Sequence, residues 1–425
     1  MKMNEKKPLE LYIHIPFCAR KCLYCDFLSF PAAAAAQAEY MDQLRCEILF
    51  SGPWYQDYEV KTIFIGGGTP SVLEPEQITM LMQTLGRVFS IAEDAEITIE
   101  ANPGTRLASK LAVYRQAGIN RLSLGLQSTS NEELKLLGRI HTFEDFLMSF
   151  QAARMAGFSN INVDLMSAIP GQSAESWRNT IRRIIMLKPE HISAYSLILE
   201  EGTPFGDHYL PGEGEHKMRW KEDEKKQGIR ITDLSDPLAA WPPLAGEDEE
   251  RWMYHLTKTF LEEAGYHRYE ISNYARPGRE CRHNIGYWTG VEYLGLGLGA
   301  SSYVDGCRFC NESDFQTYQS LDFSMDGLER LHGQVHVQSR REQMEEFMFL
   351  GLRMTEGISC GRFADCFGLT LDEVYGPVVE KMIRDGLLNR RDGRLALTDW
   401  GLDVRNYVMS EFLLDPQTEP SSGGI

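Results

Sequence analysis

Six apolar, β-rich runs recur through the first half of the chain, at residues 11–17, 62–67, 96–102, 121–127, 160–169 and 191–199. Between them lie segments of helix-compatible composition at 32–50, 74–89, 107–117, 131–137, 142–156 and 174–187. Strands that are apolar almost throughout, alternating with helices, predict a parallel sheet with helices on its faces. Six such units fit an α/β fold of the partial (β/α)6 TIM type, with its site at the C-terminal ends of the strands. An open doubly wound sheet has the same rhythm.

The rhythm stops near residue 210. From there to about 250 Gly, Pro, Lys and Glu cluster around Trp241-Pro242-Pro243, which reads as an insertion or lid. A helix at 252–264, stopped by Gly265, a stretch rich in His and Tyr and a glycine-rich strand at 293–301 predict an α+β segment over 251–335. Helical periodicity returns at 344–352, 360–367, 371–385 and 401–412, while the apolar pieces 387–389 and 395–398 flank Asp392-Gly393, a hairpin-turn signal. Helices followed by a small hairpin make a winged-helix-like module over 336–414. The organisation is therefore a barrel at 1–209, an insertion at 210–250, an α+β segment at 251–335, the winged module, and a disordered tail at 415–425.

Charge narrows the partners. With 43 Lys+Arg against 61 Asp+Glu the chain of 425 residues carries a formal −18, which argues against broad nucleic-acid or anionic-membrane binding. No apolar run reaches the length of a membrane span, and the charged start has no signal-peptide core, so no integral membrane protein is expected. Nine cysteines, an odd number, fit a reducing compartment and a cytoplasmic location.

The chemistry gathers at strand ends. Cys18, Cys22 and Cys25, spaced C-x3-C-x2-C, follow the first apolar run. Thiolates hold iron–sulfur clusters, and three of them would leave one iron of a cubane open to a small molecule. Zinc is the rival, but it usually adds a second ligand pair, and none follows nearby. Phe17, Tyr24 and Phe27 would shield a cluster, and Arg20 and Lys21 would offset its charge. Gly66-Gly67-Gly68-Thr69-Pro70 closes the second strand, where missing side chains would let backbone approach a ligand. It lacks the phosphate-loop and dinucleotide patterns. Glu100 and Asn102 lie at the third strand, Gln127 closes the fourth, Asp164 is on the fifth, and Tyr195 and Ser196 are on the sixth. Glu100 and Asp164 suit ribose hydroxyls, and Arg139 suits a carboxylate or, equally, is a solvated loop charge. His283, beside Asn284, Tyr287 and Trp288, places an imidazole against aromatic surface, which suits an axial haem ligand, although a lone histidine is more often a hydrogen-bonded structural residue. Cys307 and Cys310 form a second C-x2-C with no partner pair and read as ordinary thiols.

Together these residues carry a resemblance. Cys18-x3-Cys22-x2-Cys25, with Tyr24 before the third cysteine, resembles the signature of the radical S-adenosylmethionine (SAM) superfamily. Tyr12-Ile13-His14-Ile15-Pro16-Phe17, the Gly66–Ser71 motif, Glu100-Ala101-Asn102-Pro103, Gly125-Leu126-Gln127-Ser128, Gly138-Arg139 and Asn162-Val163-Asp164 resemble its branch around oxygen-independent coproporphyrinogen III oxidase. The resemblance runs from residue 11 to about 414. It implies a radical SAM barrel holding a [4Fe–4S] cluster on Cys18, Cys22 and Cys25, with SAM on the open iron. Gly67, Gly68 and Thr69 would then hold the methionine amine and Arg139 its carboxylate. Glu100, Gln127 and Asp164 would address the SAM core and ribose, with Tyr12, Tyr24 and Ser196 lining the cluster and adenine. Oxidases of the branch carry a further cysteine two residues after the third, where this chain has Phe27. His283-Asn284-Ile285-Gly286-Tyr287-Trp288 instead resembles the His-Asn-x-x-Tyr-Trp motif of the branch's haem chaperones. One local difference is Gly299-Ala300-Ser301, where that group usually has histidine after the alanine. The resemblance implies haem as a further cofactor, His283 beside it, and delivery to apo-haemoproteins, with respiratory membrane enzymes as candidates. Porphyrin decarboxylation by SAM radical chemistry is the alternative.

Overall fold

The computed structural model describes residues 6–104, 106–210, 241–324 and 329–414. Most of the expected insertion, 211–240, and the expected tail, 415–425, lie outside the described residues. The first half alternates strand and helix: β1 (Lys7–Ile15), α1 (Ala34–Ser51), β2 (Tyr58–Gly67), α2 (Pro75–Val88), β3 (Ile91–Ala101), α3 (Leu111–Gln116), β4 (Arg121–Gln127), α4 (Asn131–Leu136), α5 (Phe143–Met155), β5 (Ile161–Ser167), α6 (Ala174–Leu187) and β6 (His191–Ser196). Each strand pairs in parallel with the next.

Later elements extend this sheet from both edges. They are α7 (Pro204–Tyr209), α8 (Glu247–Glu263), β7 (His267–Arg268), β8 (Asn273–Ala275), α9 (Arg282–Thr289), β9 (Tyr293–Leu296), β10 (Ser301–Val304), β11 (Cys307–Cys310), α10 (Phe315–Gln319) and β12 (His336–Val337). The order is β12-β11-β10-β9-β1-β2-β3-β4-β5-β6-β8-β7, and the two end strands do not pair, so the barrel is partial. The sequence pattern predicted one glycine-rich strand over 293–301. Two antiparallel strands form instead, because Gly297 (φ 99°) and Gly299 (φ 63°) turn the chain.

The strands have two unlike faces. Leu9, Leu11, Ile13, Ile63, Ile65, Ile99, Leu122, Leu124 and Val163 point to the helices and are fully buried. Covering each such side chain contributes about 1.5–3 kcal/mol. The other face, inside the barrel, is polar: Glu10, Thr62, Glu96, Thr98, Arg121, Ser123, Asn162 and His191 are all buried there. The strands were expected to be apolar almost throughout. They alternate instead, because the interior is a hydrogen-bonded polar core. The indole of Trp177 on α6 donates to Thr257 Oγ1 at 3.0 Å, which fixes α8 against the barrel's outer layer.

The C-terminal part has its own apolar cluster, including Met344, Met348, Phe363, Leu371, Tyr375, Leu395 and Phe412. Its elements are α11 (Arg340–Gly351), β13 (Ile358–Ser359), α12 (Cys360–Phe367), α13 (Leu371–Arg384), β14 (Leu388–Arg391), β15 (Arg394–Leu397), α14 (Asp399–Asp403) and α15 (Arg405–Ser410). The predicted hairpin forms, with Asp392 (φ 49°) and Gly393 (φ 72°) both left-handed as a primed turn requires. The predicted helix over 401–412 is split at Val404, whose φ of −116° leaves the helical region. Among the described residues no helix is long and apolar enough to cross a membrane.

Candidate functional site

At the C-terminal ends of the parallel strands lies a cavity of about 250 Å³. Cys18, Cys22, Tyr24, Cys25, Gly67, Gly68, Thr69, Glu100, Gln127, Arg139 and Asp164 all line it. Eleven of the fourteen residues singled out from sequence thus share one wall, and Tyr12, Ser196 and His283 do not.

The cysteine loop is pinned at several points. Cys18 N–H donates to Phe30 O at 3.1 Å, Leu23 N–H to Leu137 O at 3.1 Å, and Phe205 N–H to Leu23 O at 3.1 Å. Strand, loop and α7 therefore fix the backbone that carries the thiols. Cys18 Sγ lies 3.4 Å from Thr69 Oγ1, and Arg139 Nη1 lies 3.5 Å from Cys22 Sγ. All three thiols are free, and burial pushes those of Cys18 and Cys25 up. Among the described residues no three His, Cys, Asp or Glu side chains come close enough to hold a single ion. Three free thiols lining one cavity are a donor set that fits a cluster of several irons with one iron left open. Tyr24, Phe27, Arg20 and Lys21 line the cavity as expected. Phe17 does not shield it: its ring is fully buried on the other side, edge-on to Phe30 and Tyr40.

The glycine motif is required for a different reason from the one its sequence suggests. A Cβ on Gly67 would stand 2.4 Å from His14 Nδ1, and one on Gly68 would stand 2.6 Å from Phe17 O. The missing side chains make room for β1 and its extension, and Gly67 also has φ of 105°. Close packing against protein, with the backbone still facing the cavity, is what these positions need.

The polar wall is preorganised. Gly67 N–H donates to Glu100 Oε2 at 3.1 Å. Burial, reinforced by Asp164, pushes the Glu100 carboxyl up to about 8. Asp164 accepts from Asn162 Nδ2 at 2.8 Å and from the Ser123 hydroxyl at 3.1 Å, and burial raises it as well. Gln127, at φ of 73°, accepts from the Tyr195 hydroxyl at 2.7 Å. Arg139 Nη2 donates to Asn102 Oδ1 at 2.8 Å and to Gly125 O, while its buried Nε has no partner. A guanidinium lining the cavity beside Cys22 fits an anionic group such as a carboxylate.

Asn102 and Tyr195, noted in the sequence at strand ends but given no role there, are also wall residues. Asn102 joins Arg139 to Thr69, donating to Thr69 Oγ1 at 3.0 Å. Tyr195 shares the inward face of β6 with His191 and Ser193, whereas Ser196 meets only Ser167, at 3.2 Å on the strand edge. Strand alternation would have selected Tyr195 over Ser196. Tyr12 sits one layer below the wall, its hydroxyl 3.0 Å from His14 Nδ1.

His283 lies deeper in the interior, on α9, and is only 1% exposed. Its Nδ1 is 2.6 Å from Thr62 Oγ1, its Nε2 is 3.0 Å from the Tyr287 hydroxyl, and its ring stacks on Phe64. Both nitrogens are engaged, so the expected axial-ligand geometry is not present here. Burial pushes His283 down to about 3 and Glu10 up to about 9. Their approach of 3.8 Å is therefore between neutral groups, not an ion pair. Glu10 has a consequence for stability. The unfolded chain releases its proton near 4.5 and the folded chain near 9, so in between the folded state holds more protons. This contribution to stability is full below pH 4.5 and declines as pH rises toward 9. Glu10→Gln should leave stability near wild type at pH 5 and raise it at pH 8.5 by about 2 kcal/mol or more in urea denaturation. An equal effect at both pH values would contradict the buried neutral carboxyl.

Cys307 and Cys310 stand three apart on β11, which sends them to opposite faces, so they form no joint metal site.

Comparison with known proteins agrees with this geometry. The model of the radical SAM superfamily matches residues 12–184, and that of the HemN C-terminal domain matches 338–404. The chain is 36% identical over 403 residues to a protein named "Heme chaperone HemW" from Bacillus subtilis, covering 95% of this chain and 98% of that one. A protein of the same name from Escherichia coli is 34% identical over 418 residues, covering 97% and 100%. Among solved structures, the radical SAM enzyme coproporphyrinogen III oxidase (HemN) from Escherichia coli superposes with a TM-score of 0.78 at 23% identity, over 96% of this chain and 90% of that one. That last likeness concerns the fold alone.

Proposed function

The chain belongs to the HemW family of radical SAM proteins, and from that premise we propose that it is a cytoplasmic haem chaperone. It binds haem and hands it to apo-haemoproteins, respiratory membrane enzymes among them, and does not act on nucleic acid. The observation that carries this reading is full-length similarity to named heme chaperones, against a fold-only likeness to the oxidase. The phenyl group of Phe27, 68% exposed at the cavity where the oxidase pattern has a further thiol, supports it.

In this reading Cys18, Cys22 and Cys25 hold the [4Fe–4S] cluster, which when bound supplies one-electron chemistry toward SAM. Thr69 steadies Cys18. Arg139, which lines the cavity, pairs its guanidinium with the methionine carboxylate. Gly67 and Gly68 present backbone to the amine, and Tyr24 covers the cluster. Glu100, Gln127 and Asp164 address the rest of SAM, while Tyr195 holds Gln127 in place and Asn102 holds Arg139. Tyr12 and Ser196 support the wall from outside it. His283 contributes to haem binding through Tyr287, whose hydroxyl it meets, and not through the iron.

Two assays test the reading. Haemin titrated into the anaerobically reconstituted protein should shift its Soret band with about one equivalent bound. Coproporphyrinogen III with SAM and a reductant should give no protoporphyrinogen. Efficient turnover in the second assay would replace the chaperone reading with the oxidase.

A further inference from the structure

A second cavity, of about 290 Å³, shares no lining residue with the cysteine cavity. It lies between α9, which carries Tyr287 and Trp288, and the C-terminal helices α11 and α12. Nothing in the cluster and SAM chemistry uses it.

Its walls have three properties. The first is flat apolar surface: Tyr287, Trp288, Tyr303, Phe347 and Phe367 come from both sides of the cleft. The second is positive charge. Three guanidinium groups line the cavity, and two are already matched: Arg308 pairs with Glu346, and Arg394 meets Glu356 at 2.9 Å. Arg362 is the one that, among the described residues, has no carboxylate partner. It crosses the cleft, donating from Nη2 to Thr289 O at 2.5 Å, and the residue is exposed. The third is a soft donor. Cys366, a free and exposed thiol, lies four residues after Arg362, so both project from one face of α12.

Aromatic walls, one unmatched guanidinium and a thiol one helical turn away match the parts of a metallated tetrapyrrole: a flat apolar ring, carboxylate side chains and an iron open to a soft axial ligand. The geometry points to this interdomain cleft as the haem site, with Arg362 paired to a propionate and Cys366 ligating the iron. The inference rests on the haem-chaperone reading and adds its location. At about 290 Å³ the cavity is just below the usual range of ligand sites, roughly 300–1,000 Å³. The ring therefore enters edge-first and keeps a rim at the mouth, which suits a carrier that must release its cargo. It also gives His283 a place in the account. From the barrel interior it holds the hydroxyl of Tyr287, a residue of this wall, so it acts as a positioning residue.

The test uses the full-length reconstituted protein with two probes, haemin and iron-free protoporphyrin IX. Arg362→Glu should weaken both by about tenfold or more, the loss of one charge-assisted pair. Cys366→Ser should weaken haemin alone and change the Soret and charge-transfer bands of the ferric complex, leaving protoporphyrin affinity unchanged. Cluster iron and sulfide should stay at wild-type levels in both, since neither residue touches the cysteine cavity. A wild-type ferric spectrum in Cys366→Ser, or wild-type affinities in Arg362→Glu, overturns this site while the haem reading stands. Failure of the unaltered protein to bind haemin removes that reading and this site with it.

Discussion

Cys22→Ser should leave the anaerobically reconstituted protein with less than about one iron per chain, against about four in the wild type. The serine hydroxyl keeps the size of the thiol and loses the soft thiolate. Nothing nearby can replace it: Thr69 already meets Cys18, and no other thiol lines the cavity beyond Cys18 and Cys25. The substitution should not unfold the chain. The loop backbone is held by Leu23, Cys18 and Phe205 through main-chain bonds that serine preserves. Iron and acid-labile sulfide analysis, with circular dichroism as the folding control, reads the result. A full cluster in Cys22→Ser would refute the ligand assignment.

Arg139→Ala should weaken SAM binding by about a hundredfold, the loss of a charge-assisted pair at a buried site. Arg139→Lys should recover little of it. The guanidinium spans Asn102 Oδ1, Gly125 O and Cys22 Sγ at once, at the wall of the cavity. An ammonium group cannot fill that planar fork. Because Arg139 also meets Cys22, SAM affinity must be measured by equilibrium binding on samples matched for iron and sulfide. Wild-type affinity in Arg139→Ala at full cluster content would remove Arg139 from the SAM site.

The parts of this site that sequence revealed are those whose signal is local. Cys18, Cys22 and Cys25 fall within one short loop, and the triple glycine sits directly after an apolar run. The strand–helix rhythm gave the order of β1 to β6 because covered parallel strands leave a strong apolar trace. The inward face was harder to see. Glu10, Glu96, Arg121 and His191 are spread over four strands, and only the register brings them into one buried polar core. Read one strand at a time, each was a stray polar residue. The preference for Ser196 over Tyr195 had a remedy in the strand's own alternation, since His191 and Ser193 mark the inward parity.

The partners of His283 could not be read from its surroundings in the chain. Tyr287 is near in sequence, but Thr62 and Phe64 come from β2, and together they engage the imidazole as a hydrogen-bonded structural histidine, the reading that had stood beside the ligand role. The triple glycine was legible as a motif and opaque in cause. The atoms that side chains at Gly67 and Gly68 would strike belong to β1 and the segment after it, and those that one at Gly66 would strike belong to Glu100 and Phe64.

The central claim is that this chain carries haem and passes it on. Haem transfer from the loaded, cluster-containing protein to the apo form of a respiratory haem enzyme tests it most directly, followed by the acceptor's own absorption bands. Delivery predicts transfer whose rate rises with acceptor concentration. Release at one fixed rate whatever the acceptor concentration would show passive haem loss and contradict the account.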